Sequence, residues 1–151
     1  MLELFAFQFT RNFSANLAEI EAFFERVDGG QGYLSLLDQL EEHVIPNLER
    51  FPAIGRPFLA RPQRSMEVCL QVPTLKGQLA ELGMGSELRE YLTREYLILY
   101  TFNERSGYLL SIKHQRQVSF DFTALWDRNG YPLDEVHQGK LLLQQERAVY
   151  G

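Results

Sequence analysis

The first residues of the chain alternate between large apolar and smaller or polar side chains, which is typical of a β-strand. Phe5, Phe7 and Phe9 are each separated by a single residue, so they share one face of a strand. Three phenylalanines on one face need a covering layer. The sequence therefore predicts an N-terminal strand that packs against other elements.

After this strand the apolar residues recur every three or four positions, and two helices are predicted. The side chain of Asn12 or Ser14 is expected to cap the first helix by accepting hydrogen bonds from free backbone N–H groups. The apolar stripe of this helix consists of Leu17, Ile20, Phe24 and Val27. Glycines within residues 29–32 end this first helix.

The apolar stripe of the second helix consists of Leu34, Leu37, Leu40 or Glu41, Val44, Leu48 and Phe51. Pro46 predicts a kink in this second helix, and the two helices form an antiparallel hairpin.

The second half of the chain returns to the two-residue period of β-structure. Residues 88–93 alternate, residues 96–102 are almost all apolar, and residues 108–114 follow a polar loop that contains glycine. This pattern predicts a three-stranded antiparallel meander. We expect the N-terminal strand to join the same sheet elsewhere and the helical hairpin to cover one of its faces.

Further segments lie between and after these elements. Residues 65–82 have a helical apolar pattern that Pro73 interrupts, which predicts a broken helix. Residues 132–149 are predicted to form a terminal helix that breaks near Gly139, and residues 118–126 fit either a strand or a helical turn.

The composition fits a single folded domain. The chain has 151 residues and a hydrophobic content of 45%, which is enough for one core. No apolar run approaches the roughly 18 residues of a membrane span, and the N-terminus lacks the features of an export signal. A lone Cys69 fits a reducing compartment. We expect one cytoplasmic α+β domain over residues 1–151, with an insertion at about 60–86 and a C-terminal extension at about 127–151.

Charge is unevenly distributed along the chain. Residues 11–49 contain eight acidic residues and two arginines, a net charge of −6. Residues 50–64 contain four arginines and no acid, and residues 89–116 contain five basic and three acidic residues, which gives +4 and +2. An acidic half is thus followed by two basic zones. The two basic zones fit an ordinary solvated surface, or a face that binds anions or an acidic partner.

Several kinds of site are missing from the sequence. Residues 29–32 lack the lysine and hydroxyl of a phosphate-binding loop, and the three histidines are too far apart to suggest a metal site, so no cofactor is expected. Cationic, aromatic and amide side chains remain on or beside the meander, and they are Arg89, Arg94, Tyr96, Tyr100, Lys113, His114, Gln115 and Arg116. Arginines there can clamp phosphate or carboxylate groups. Basic residues also occur on open sheet edges, where they discourage aggregation.

The order of these elements resembles the RelE/ParE superfamily of bacterial toxins. The resemblance rests on the strand and helical hairpin, on the loop FPAIGRP at residues 51–57, on residues 88–91 and 96–100, and on the closing segment LSIKHQRQ at residues 110–117. It covers roughly residues 3–120. The insertion and the tail after Trp126 lie outside the pattern.

This resemblance implies the toxin of a type II toxin–antitoxin pair, which a cognate antitoxin holds inactive. RelE-like members cleave messenger RNA on the ribosome, and ParE-like members poison DNA gyrase. The acidic residues of the antitoxin are expected to meet Arg56, Arg89 or Arg116. The residues expected to contact the antitoxin or the target are Arg56, Arg89, Arg94, Lys113, His114 and Arg116.

The closing strand favours gyrase over the ribosome as the target. Nucleolytic members place a His or Tyr pair where this sequence has Gln115 and Arg116, and glutamine cannot transfer a proton. His114 is expected to point to the opposite face of the strand. We therefore expect a ParE-like toxin that acts by binding. The alternatives are a ribosome-dependent endoribonuclease that uses Arg89, Arg94 and Arg116, and a degenerate, inactive member of the superfamily.

Overall fold

The computed structural model describes residues 6–58, 66–115 and 136–150. The strands are β1 (Ala6–Thr10), β2 (Arg56–Pro57), β3 (Arg89–Leu92), β4 (Tyr96–Phe102), β5 (Ser106–His114) and β6 (Val136–Gln138). The helices are α1 (Arg11–Asp28), α2 (Gln31–Gln39), α3 (Ile45–Arg50), α4 (Met66–Glu81) and α5 (Gly139–Tyr150), with a π-helical turn (Leu40–Val44) between α2 and α3. The α+β class is confirmed. Phe5, Arg116 and residues 118–126, on which sequence predictions fall, lie outside the described residues.

The strands form one mixed sheet of six strands in the order β2-β3-β4-β5-β1-β6. The predicted meander of β3, β4 and β5 is antiparallel, but β1 runs parallel to β5. The prediction of a small antiparallel sheet is therefore wrong. Hairpin turns determine the direction of β4 and β5, whereas no short turn joins β1 to β5. The edge strands β2 and β6 have two and three residues, too few to show a period in the sequence.

Thr10 caps helix α1, in place of the predicted Asn12 or Ser14. Its Oγ1 accepts a hydrogen bond from the N–H of Phe13 at 3.2 Å, as N-cap side chains do. Asn12 is buried instead, and its Nδ2 donates to the carbonyl oxygen of Leu110 at 3.0 Å. The difference arises because β1 leads directly into α1, so that the cap falls on the last residue of the strand.

Helices α2 and α3 follow each other without a loop, because a π-helical turn joins them directly before Pro46. The N–H of Ile45 donates to the carbonyl oxygen of Leu40, five residues earlier. Proline has no N–H of its own to donate. The predicted disturbance at Pro46 thus takes the form of a widened helical turn.

Helices cover both faces of the sheet. On one face the buried core joins the helical hairpin to the strands, and it includes Phe9, Leu17, Leu37, Leu48 and Tyr100. On the other face it joins α4 to the strands, and it includes Val72, Leu75, Leu79, Leu97 and Leu99. This double burial explains why almost every residue of β4 is apolar.

Helix α4 continues through Pro73 and Gly77, so the predicted break is wrong. Both residues are exposed to solvent, while the apolar residues on the other side of the helix pack on the sheet. Burial of that side outweighs the low helix propensity of proline and glycine. None of the helices within the three described ranges is long and apolar enough to cross a membrane.

The C-terminal residues add an edge strand and a helix to the sheet. Strand β6 (Val136–Gln138) pairs with β1, so the predicted helix over residues 132–149 is wrong for these three residues. Helix α5 begins at Gly139, where the sequence predicts a break. A Cβ atom at Gly139 would lie 2.5 Å from the ring of Phe9, so this close approach requires glycine. Leu143 is fully buried in the core, and the hydroxyl of Tyr33 donates to the carboxylate of Glu146.

We expect the packing of α5 to weaken as the pH rises, because of Glu146. Burial raises the pKa of this carboxyl, the hydrogen bond from Tyr33 lowers it, and the charge of Glu21 raises it, with a net upward shift. The folded state therefore favours the neutral form, and this contribution to stability is lost as the pH rises through the folded pKa. Glu146→Gln, which stays neutral, should stabilise the protein more at about pH 7 than at about pH 4.

Urea unfolding of wild type and variant at the two pH values measures this effect. Glu104→Gln, at an exposed position in the turn between β4 and β5, is the matched control and should show no such difference. A stability gain from Glu146→Gln that is the same at both pH values would contradict the prediction.

Candidate functional site

An open cleft lies between helix α1 and the ends of the sheet strands. It has a volume of about 1140 Å³. One wall is a continuous stripe of α1 that consists of Asn16, Glu19, Ile20, Phe23 and Phe24. The opposite wall consists of Arg94, Glu95 and Tyr96 together with Ile112, Lys113, His114 and Gln115. Three of the six sequence-predicted site residues, Arg94, Lys113 and His114, therefore lie in one cleft.

Asn16 attaches helix α1 to strand β5 at the inner end of this cleft. Its Oδ1 accepts hydrogen bonds from the hydroxyl of Ser111 at 3.0 Å and from the N–H of Ile112 at 3.1 Å. These bonds satisfy buried polar groups, which stabilises the helix–strand contact. The distance between the two walls is thus determined by a specific contact rather than by apolar packing alone.

The turn between β3 and β4 presents Arg94 and Glu95 at its tip, where both are exposed. Thr93 stabilises this turn, because its Oγ1 accepts hydrogen bonds from the N–H groups of Glu95 and Tyr96 at 3.3 and 2.9 Å. The N–H of Gln115 donates to the carbonyl oxygen of Glu95 at 2.8 Å. The turn and the end of β5 therefore form one connected wall.

His114 and Tyr96 are cross-strand partners in this wall. Their ring centroids lie 5.5 Å apart in an edge-to-face arrangement. Burial raises the pKa of the Tyr96 phenol to about 12, and the charge of Glu95 adds to the shift. The phenol is therefore protonated at neutral pH. His114 and Gln115 both line the cleft, contrary to the expectation that His114 points away. Strand β5 ends at His114, so the alternation of faces along a strand does not extend to Gln115.

The cleft carries charges of both signs around an apolar interior. Arg94 and Lys113 are cationic, and Glu19 and Glu95 bring two carboxylates to the same rim. Arg116 lies outside the described residues. Within the described ranges, no group of three His, Cys, Asp or Glu side chains is arranged to hold a metal ion.

Arg56 and Arg89 lie away from the cleft and stabilise the loop before β2. The guanidinium of Arg89 donates to the carbonyl oxygens of Gly55 at 2.6 Å and Ala53 at 3.2 Å. It also pairs with Glu87 at 2.9 Å. Arg89 begins β3, whereas Arg94 lies beyond the end of this strand, in the turn to β4. The structure therefore does not bring together these two members of the arginine set considered for RNA cleavage.

Arg56 forms an ion pair with Glu90. Its Nε lies 3.0 Å from Oε1 of Glu90, whose side chain is completely buried, whereas the arginine side chain is 45% exposed. Arg56, a cation of the first basic zone, thus contributes to packing of the loop.

Sequence reasoning missed the contribution of helix α1 to the cleft. Phe23 and Phe24 are consecutive, so their side chains point about 100° apart, and both cannot face the core. The sequence predicts Phe24 in the buried stripe, and Phe23 is 51% exposed at the cleft. The adjacent pair of phenylalanines was the signal that one ring lies at the surface.

No protein-family model matches this chain, and no curated protein matches it. Evidence on function therefore comes from the chemistry of the cleft and from the arrangement of elements around it.

Proposed function

We propose that this protein is the toxin of a type II toxin–antitoxin pair of the RelE/ParE kind, a cytoplasmic growth inhibitor that a cognate antitoxin neutralises. The order of elements supports the proposal. An N-terminal strand leads into a helical hairpin, which covers one face of a three-stranded meander. The meander ends at Lys113 and His114, within the closing segment on which the resemblance depends.

The composition of the cleft supports a binding mode of action, with DNA gyrase as the proposed target. Protein interfaces combine an apolar centre with a polar rim, and the cleft has Ile20 and Phe23 between charges of both signs. A nucleic acid backbone would meet the carboxylates of Glu19 and Glu95 beside the cations. Because phosphate contacts provide most nucleic-acid affinity, this mixed rim suits a protein partner better. This is the observation that carries the proposal.

A second candidate function, ribosome-dependent cleavage of messenger RNA, is favoured by the contact between His114 and Tyr96. Cleavage through a 2′-hydroxyl needs a proton acceptor, a proton donor and cations near the phosphate. An imidazole, a protonated phenol and the side chains of Arg94 and Lys113 line the same cleft. The imidazole and the phenol can transfer protons, which the amide of Gln115 cannot do.

Inducible expression of the chain without its antitoxin tests the proposal. We expect growth arrest with gyrase-dependent DNA breaks and without messenger RNA cleavage. Arg94→Glu should abolish the arrest by reversing a charge of the cleft, whereas Arg105→Glu, exposed in the turn between β4 and β5, should keep it. Coexpression of a small acidic protein from the neighbouring reading frame should restore growth.

The same experiment separates the alternatives. Messenger RNA cuts in phase with codons, within minutes of induction, would contradict the binding mode. In that case His114→Ala should lower the rate of cleavage by about 10²- to 10⁴-fold, and His137→Ala, on the exposed edge strand β6, should have no effect. Unimpaired growth would indicate a degenerate member of the superfamily.

A further inference from the structure

Helix α1 presents large apolar side chains to solvent beside the cleft. Phe23 is 51% exposed and Val27 is 64% exposed. They are four residues apart, so they lie next to each other on one side of the helix. Ile20 and Phe24, which are half-buried, continue this apolar surface into the cleft. A contiguous exposed apolar patch with a polar border is typical of an interaction surface.

The two sides of this apolar patch differ in charge. Glu19 is the charged residue of helix α1 that lines the cleft. The opposite wall of the cleft contains the basic residues Arg94 and Lys113 and one acidic residue, Glu95. The patch thus has an acidic side and a basic side.

A surface with an apolar centre and opposite charges on its two sides is complementary to a second copy of itself. In an interface with twofold symmetry, the same patch is used by both subunits, and each contact occurs twice. A twofold rotation about the patch places Glu19 of one protomer against the basic wall of its partner. A partner of one charge would be repelled by one side of the patch.

We propose that this surface forms a symmetric dimer of the chain, in which Phe23 of each protomer enters the cleft of its partner. Glu19 of one protomer then faces Arg94 of its partner, and the apolar residues of the two α1 helices are removed from water. The dimer covers the cleft that contains His114 and Tyr96, so a second copy of the chain and the proposed target would compete for the same surface. This inference does not depend on the proposed function, since it rests on exposure and charge alone.

Sedimentation velocity of the purified chain at micromolar concentrations tests the dimer. We expect a species of twice the 17.6 kDa chain mass that dissociates on dilution. Phe23→Asp should weaken the dimer at least tenfold without changing the thermal unfolding midpoint, because the ring is already half-exposed. Phe51→Asp is the matched control, since Phe51 is 64% exposed at another position on the surface. A chain that stays monomeric, or a dimer that Phe51→Asp weakens as much as Phe23→Asp, would overturn the proposal.

A charge exchange tests the orientation of the two protomers. Glu19→Arg and Arg94→Glu should each weaken the dimer, because each places two like charges together. The double variant should recover most of the affinity, because the exchanged charges attract each other again. Failure of the double variant to recover affinity would overturn the proposed symmetric arrangement.

Discussion

Replacement of Tyr100 by alanine is expected to lower the free energy of unfolding by about 3–5 kcal/mol. The side chain is completely buried in the core between the sheet and the helical hairpin. Its ring contacts that of Phe7 in an edge-to-face arrangement at 5.8 Å. Its hydroxyl donates to the carbonyl oxygen of Pro52 at 2.6 Å and accepts from the N–H of Gly55 at 2.9 Å. Alanine therefore creates a cavity and leaves two backbone groups without their partner.

Tyr100→Phe separates the two contributions, because it keeps the ring and removes the hydroxyl. We expect a loss of about 1–3 kcal/mol from the unsatisfied groups of Pro52 and Gly55. Urea unfolding with an unchanged dependence on denaturant measures both variants. Tyr108→Phe, on the neighbouring strand β5, is the control and should have a small effect. If Tyr100→Phe is as stable as the wild type, the hydroxyl does not stabilise the loop.

The contacts of Tyr100 show why the loop before β2 is ordered despite two prolines. Tyr100, Arg89 and the pair of Arg56 with Glu90 all attach this loop to β3 and β4. A Cβ atom at Gly55 would lie 2.6 Å from the carbonyl oxygen of Glu90, so the loop passes very close to the strand. Two of the arginines that the sequence suggested for binding therefore have a structural role.

The parts of the fold that could be predicted depend on local patterns. The helical hairpin follows from apolar residues at intervals of three and four, and the meander follows from apolar strands joined by polar turns. Leu97 and Leu99 face one core while Tyr96 and Ile98 face the other. The continuous apolar run of β4 indicated a buried strand. It did not indicate that a second helical layer covers this strand, because the sequence pattern of a buried strand is the same whichever element covers it.

Other features depend on contacts between residues far apart in the sequence. The parallel pairing of β1 with β5 and the buried bonds of Asn12 to Leu110 and of Asn16 to Ile112 have no local signal. The cleft is predictable only in part for the same reason. Its basic wall lies within the meander and could be recognised, whereas its helical wall comes from α1, far earlier in the chain.

Arg56→Ala is expected to lower the free energy of unfolding by about 2–4 kcal/mol, although the side chain is 45% exposed. The reason lies with its partner, since Glu90 is buried and its Oε1 lies 3.0 Å from the guanidinium. Removal of the arginine leaves a buried carboxylate without this cation. Arg105→Ala, which removes an exposed arginine from the turn between β4 and β5, should change the stability by less than about 0.5 kcal/mol.

The double variant Arg56→Ala with Glu90→Gln should recover most of the stability lost in Arg56→Ala, because a neutral amide is much less costly to bury than a carboxylate. Urea midpoints of the four proteins in this cycle measure the coupling between the two residues. A large coupling means that Arg56 acts on the loop through Glu90 and has a structural role. If the two substitutions are additive, Arg56 does not act through Glu90, and the proposed role of the ion pair is wrong.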